Sequence, residues 1–103
     1  MLKIDIKGTN MELTEAIKNY VNEKIGSLEK FHDNILEARV DIGLTTNHHQ
    51  KGDIYRAEVN LEVPQKHILR AESQKEDLYM AINDVKDDLQ RQIKKYKEKM
   101  RNY

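Results

Sequence analysis

Three stretches of this chain alternate apolar and polar residues with a period of two, and this constrains the fold more than any other feature. In Leu2-Lys3-Ile4-Asp5-Ile6-Lys7, the residues Leu2, Ile4 and Ile6 share one face of an extended chain. In the second stretch Ala38, Val40, Ile42 and Leu44 oppose Glu37, Arg39 and Asp41. In the third, Tyr55, Ala57, Val59, Leu61 and Val63 oppose Arg56, Glu58, Asn60 and Glu62. Strands with a single apolar face belong in a sheet with one covered side, so the rest of the apolar chain has to lie on that side.

The remaining apolar residues recur at three- and four-residue steps. Thr14 is a good N-cap, Glu15 favours the helix dipole, and Leu13, Ala16, Ile17, Tyr20, Val21, Ile25, Leu28 and Phe31 predict a helix to about Lys30. Asp33-Asn34 supplies the turn after it. Thr45 to Asp53 is polar and reads as a long hairpin loop between the second and third strands. The only proline, Pro64, stops the third strand, and a fourth is expected over His67 to Glu72 with Leu69 and Ala71 facing in. Ser73-Gln74-Lys75-Glu76 fits a capping box. Beyond it Leu78, Ile82, Val85, Leu89, Ile93, Tyr96 and Met100 form one stripe of a last helix roughly 40 Å long. The predicted fold is α+β, in the order β-α-β-β-β-α. It has a four-stranded mixed sheet, strands one and two parallel, and two helices packed on one face.

The 103 residues make one domain, 1–103, with no linker or repeat. With no cysteine there is neither a disulfide framework nor a thiol nucleophile. No apolar run is long enough for a membrane span or a signal-peptide core, so the chain reads as a small soluble cytoplasmic domain. His48 and His49 would point to opposite sides of an extended loop, without a third ligand at matching spacing, so no metal site is expected. The adjacent carboxylates Glu76-Asp77 and Asp87-Asp88 do not form a convergent acid–base pair, and the four glycines are too scattered for a phosphate loop. The chain is therefore expected to be no enzyme and to take no cofactor. Tyr20, Tyr55, Tyr79 and Tyr96 lie on apolar faces and read as core.

Net charge is zero, but residues 1–85 sum to −4 and residues 86–103 to +4. Local fields, not the average, steer an anionic partner. With Leu89 at the centre of the buried stripe, 100° per residue puts Lys94 at about 140°, Arg91 at about 200° and Lys95 at about 240°. Lys97 and Arg101 fall at about 80° and 120° on one flank of that outward arc. Lys18, Lys24 and Lys30 lie on the polar side of the first helix. A solvated helix surface produces such runs too. Three antiparallel strands followed by a basic C-terminal helix, however, are similar to the double-stranded-RNA-binding domain.

The second helix carries a more specific likeness. Glu76-Asp77-Leu78-Tyr79-Met80-Ala81-Ile82-Asn83, then Leu89, Arg91-Gln92 and Lys94-Lys95, resembles the bacterial ribosome hibernation-promoting factor and ribosome-associated inhibitor family. Ile4, Met11-Glu12-Leu13-Thr14 and Leu28-Glu29-Lys30-Phe31 look like the first half of the same family. The resemblance implies ribosome hibernation: a translation inhibitor bound in the mRNA and tRNA channel of the 30S subunit, holding idle ribosomes inactive under stress. Its partners would be 16S rRNA and neighbouring ribosomal proteins, with no membrane and no small-molecule substrate. Carried over by position, the rRNA-binding residues are Lys24, Lys30, Lys86, Arg91, Lys94 and Lys95, to which the helix arc adds Lys97 and Arg101. Long members have a further C-terminal domain that pairs ribosomes. This sequence carries none, so a short form or the N-terminal domain of a long form is expected. The competing readings are a protein-interaction module using the acidic open face of the sheet (Glu37, Asp41, Glu58, Glu62) and a binder of free duplex RNA.

Overall fold

The computed structural model describes residues 2–31, 34–45, 53–65 and 67–101, with side chains as far as residue 99. The order is β1 (Lys3–Thr9), α1 (Glu15–Gly26) with a following 3-10 turn (Ser27–Lys30), β2 (Glu37–Leu44), β3 (Tyr55–Val63), β4 (His67–Lys75) and α2 (Leu78–Arg101). The sheet runs β1-β2-β3-β4, with β1 parallel to β2 and the other neighbours antiparallel. This is the predicted β-α-β-β-β-α arrangement. The inward parity is also as read: Ala38, Val40, Ile42, Ala57, Val59, Leu61, Val63, Leu69 and Ala71 are all buried. The helices cover that face with Ile17, Val21, Ile25 and Leu28 from the first half and Leu78, Ile82, Val85, Leu89 and Ile93 from the second. No helix among the described residues is long and apolar enough to cross a membrane.

The structure departs from the sequence reading in four places. First, the helix expected to run to Lys30 ends as an α-helix at Gly26, and its last turn tightens to 3-10. The Ser27 hydroxyl donates to the Lys24 carbonyl at 2.6 Å and Leu28 is fully buried. At the other end the helix starts as read, the Thr14 hydroxyl accepting from the Ile17 N–H at 3.2 Å, while Ala16 faces solvent. Second, Ser73-Gln74-Lys75-Glu76 is not a capping box. Ser73, Gln74 and Lys75 pair with Ala57, Arg56 and Tyr55 as the end of β4. A ladder continued over three residues outcompetes two side-chain caps. Third, the capping falls to Asp77, whose carboxylate accepts from the Tyr79 N–H at 2.8 Å and whose carbonyl accepts from Ala81 at 3.1 Å. Fourth, Tyr79 is not core: it is 38% exposed, whereas Tyr20, Tyr55 and Tyr96 pack against the core from its edge. His32, Asp33, the middle of the β2–β3 loop with His48 and His49, and the Met100 side chain lie outside the described residues.

Candidate nucleic-acid interface

The two helices lie side by side and run in the same sense. Early in both, the Tyr20 ring meets Tyr79 edge-on, with centroids 4.7 Å apart at 89°. Late in both, the Lys94 ammonium stands 5.6 Å from the centroid of Phe31, the ring just past the 3-10 turn. Lys24 stands at the same distance over Tyr20. Cation–π contacts of this kind contribute about 0.5–1 kcal/mol at exposed sites and fix where a flexible lysine points. One flank of α2 therefore brings Lys94 up to the last residues of the α1 arm, next to exposed Lys30. Half-buried Lys97 follows three residues on, along the same flank.

The predicted cations do not form a single ridge. Arg91, 69% exposed, stands on the crest of α2 but is 3.7 Å from Asp88 Oδ1. Lys86 is only 22% exposed and held 3.4 Å from Asp87 Oδ1, so it is withdrawn from the others. Lys95 turns to the opposite flank, over a groove against β4. Among the described residues, Lys24, Lys30, Lys94, Lys95 and Lys97 make no ion pair. The Arg101 side chain lies outside the described residues.

The open face of the sheet contrasts with this. It is not the acidic surface expected from Glu37, Asp41, Glu58 and Glu62. Register places Glu37 opposite Glu62 and Glu58 opposite Glu72, like charges that would repel. Arginines on the diagonals resolve both clashes. Arg39 lies 3.2 Å from Glu62 and 3.6 Å from Glu37. Arg56 donates to Glu72 through Nε at 2.6 Å and lies 3.3 Å from Glu58. Arg70 donates to Glu58 through Nε at 2.7 Å. Burial works against ionisation of Glu58, but the Arg70 hydrogen bond and the charges of Arg56 and Arg70 outweigh it, holding the carboxyl below its ordinary range. Burial likewise opposes the charge on Arg56, and the Glu72 hydrogen bond with the two carboxylates outweighs it, raising that guanidinium's pKa. The arginines of this face are committed to glutamates.

Residues 4–101 match the family described as Sigma 54 modulation protein / S30EA ribosomal protein. The chain belongs to that family. Over 101 residues, 97% of its length, it is 39% identical to a ribosome hibernation promotion factor of Lactococcus lactis subsp. cremoris. It is 33% identical over 101 residues to one of Staphylococcus aureus. It covers 52% and 50% of those proteins, so it spans about half the length of the curated relatives it matches. Among solved structures it is similar to the N-terminal domain of Thermus thermophilus Protein Y, with TM-score 0.76 and 33% identity, covering 88% of this chain and 93% of that one. A ribosomal subunit interface protein from Coxiella burnetii matches with TM-score 0.81 over 95% of this chain and 99% of that one. At 17% identity, that second likeness is one of fold.

Two surface features of this family member were not read from the sequence. Lys99 falls at about 280° on the helix, one turn beyond Lys95, and it lines the same groove. The angular reading that selected Lys95 would have found it. Exposed Tyr79, beside Lys24 and Tyr20, had no such signal, because its apolar spacing is that of a core residue.

Proposed function

We propose that this chain is one non-enzymatic ribosome-binding domain that keeps idle ribosomes inactive under stress, working in the cytoplasm without a cofactor. In this reading it lodges in the mRNA and tRNA channel of the 30S subunit and inhibits by occupying that space. Lys24, Lys30, Arg91, Lys94, Lys95, Lys97 and Arg101 hold 16S rRNA phosphates, and Lys86 makes the smallest contribution because Asp87 engages it. The observation that carries the proposal is the segregation of charge: the sheet's arginines are spent on glutamates, while Lys24, Lys30, Lys94, Lys95 and Lys97 on the two helical arms make no ion pair among the described residues. The names of the relatives, hibernation promotion and subunit interface, supply the ribosome as the anionic partner.

Binding through six or more phosphates should weaken by about a thousandfold between 50 and 200 mM salt. Reversing Arg91, Lys94 and Lys95 together to Glu should abolish co-sedimentation with 30S subunits while leaving the circular dichroism spectrum and melting curve near wild type. Undiminished co-sedimentation of that variant at moderate salt rules out this face. Tight binding to a naked duplex of about 16 base pairs, equal to that for the subunit, would favour free duplex RNA instead.

A further inference from the structure

The geometry points to a single-nucleotide groove between the edge strand β4 and the C-terminal half of α2, taking a ribonucleotide base on His67 and its phosphate on Lys95 and Lys99. This rests on the RNA-binding reading above and adds a specific contact to it. The groove measures about 380 Å³, which suits one nucleotide. Its wall is a stack: the His67 and Tyr96 rings lie nearly parallel, 11° apart, with centroids separated by 5.4 Å. His67 is exposed and Tyr96 half-buried, so the imidazole is the outer plate of the pair, and it lines the groove that a third ring would enter. Lys95 and Lys99 are exposed, one helical turn apart on the groove's rim, and make no ion pair among the described residues. Two lysines so spaced can share one phosphate.

Hydrogen-bonding groups complete the site. Gln92 is fixed by donating from Nε2 to the carbonyl of Arg70 at 2.8 Å. That bond covers an edge carbonyl of β4 and leaves the second amide hydrogen and the amide oxygen for the edge of a base. Gln65 follows Pro64 at φ 68°, in a turn position where glycine would be unstrained. It lines the groove as well. An aromatic plate, a paired cationic rim and amide groups together recognise a nucleotide. An acidic peptide would have no use for the stack, and an apolar ligand none for the lysines.

The nucleotide can come from rRNA or from solution, and two arms with the full chain separate these sources. In the first, 30S subunits are titrated with wild type, His67→Ala and His67→Phe at fixed salt. A stacked base predicts a loss of about 5- to 150-fold for His67→Ala, from about 1–3 kcal/mol per stacked base, and near-complete rescue by His67→Phe. In the second, uridine and adenosine 5′-monophosphates are added to labelled protein and the His67 and Tyr96 ring signals are followed by NMR. Shifts of those rings without any effect of His67→Ala on subunit binding assign the groove to a free nucleotide. Unchanged subunit affinity of His67→Ala together with unmoved ring signals overturns the proposal, and the larger reading then stands or falls on the triple charge reversal. His67 is exposed, so a folded variant is expected, and its melting curve verifies it.

Discussion

Replacing Asp88 by Asn should tighten binding to the small subunit, although it removes a residue with no place in the proposed contact. Asp88 lies 3.7 Å from Arg91, with side chains 44% and 69% exposed. A pair of this type, three residues apart on a helix surface, contributes about 0.3–0.5 kcal/mol, which is forfeited when Arg91 turns to a phosphate. The Asp88 charge also repels that phosphate. At about 7 Å in water the repulsion is about 0.6 kcal/mol, reduced to roughly 0.3 by physiological salt. Relieving both gives about 0.7 kcal/mol, or about threefold tighter binding at 150 mM salt. Equilibrium titration of 30S subunits reads this directly. Asp5→Asn is the control, because it makes the same change in net charge on the sheet face. The gain should come with a lower melting temperature, by about 1–4 °C, from the lost pair. Affinity unchanged or weakened by Asp88→Asn, or improved equally by Asp5→Asn, would refute the placement of Arg91 at the interface.

Two further predictions concern the scaffold. Glu58→Gln leaves Arg56 and Arg70 to share Glu72, and should cost about 1 kcal/mol at pH 7, about 4–8 °C in melting temperature. Because the folded carboxyl titrates below its ordinary value of 4.5, this stabilisation is fully present above that pH and disappears as pH falls through the lower folded value. The melting temperatures of wild type and variant should therefore converge as the pH is taken below that folded value, and a gap that stays constant through the acid range would show that charge is not its source. Asp77→Ala should cost about 1 kcal/mol through the lost cap, and Ser73→Ala less, since the Ser73 hydroxyl makes one 3.3 Å bond to Asp84. Thermal melts showing the reverse order would restore the cap to Ser73.

The sheet was legible because a period of two, repeated in three strands, allows only one covered side, and the polar stretch between the second and third strands marks them as an antiparallel hairpin pair. The end of β4 was not, because Ser73-Gln74-Lys75-Glu76 is equally good as cap or strand and only β3 decides. Tyr55, Arg56 and Ala57 lie opposite and claim the backbone. The helix arc gave the directions of Lys94 and Lys95 but not their surroundings. That Lys94 rests on Phe31 and Lys95 overlooks β4 depends on what flanks α2 on each side. The Asp88–Arg91 contact has a spacing of three and could have been read locally. The pairing of Arg39 with both Glu37 and Glu62 could not, since it depends on register between strands.

The same dependence explains why charge ends up divided between the two faces. A pleated sheet brings outward side chains of neighbouring strands within about 5 Å of one another, so a mixed set of arginines and glutamates neutralises itself there. A helix that runs past its sheet has no neighbour to do this. The ring of Tyr96 stacks on His67 at the first residue of β4, and its hydroxyl lies 3.5 Å from the Pro64 carbonyl at the hairpin tip. Beyond Tyr96 the sheet ends. The next residues, Lys97 to Arg101, continue the helix past the first residue of β4, and among the described residues no strand carries an acidic side chain paired with Lys97 or Lys99. Lysines placed there stay available because of where β3 turns. Extending the β3–β4 hairpin by two acidic residues on each strand would put carboxylates beside Lys99, on the flank of α2 that faces β4. Subunit affinity should fall and its salt dependence become shallower, with every lysine still in place. Full affinity in such a variant would mean that the overhanging turn is not part of the contact.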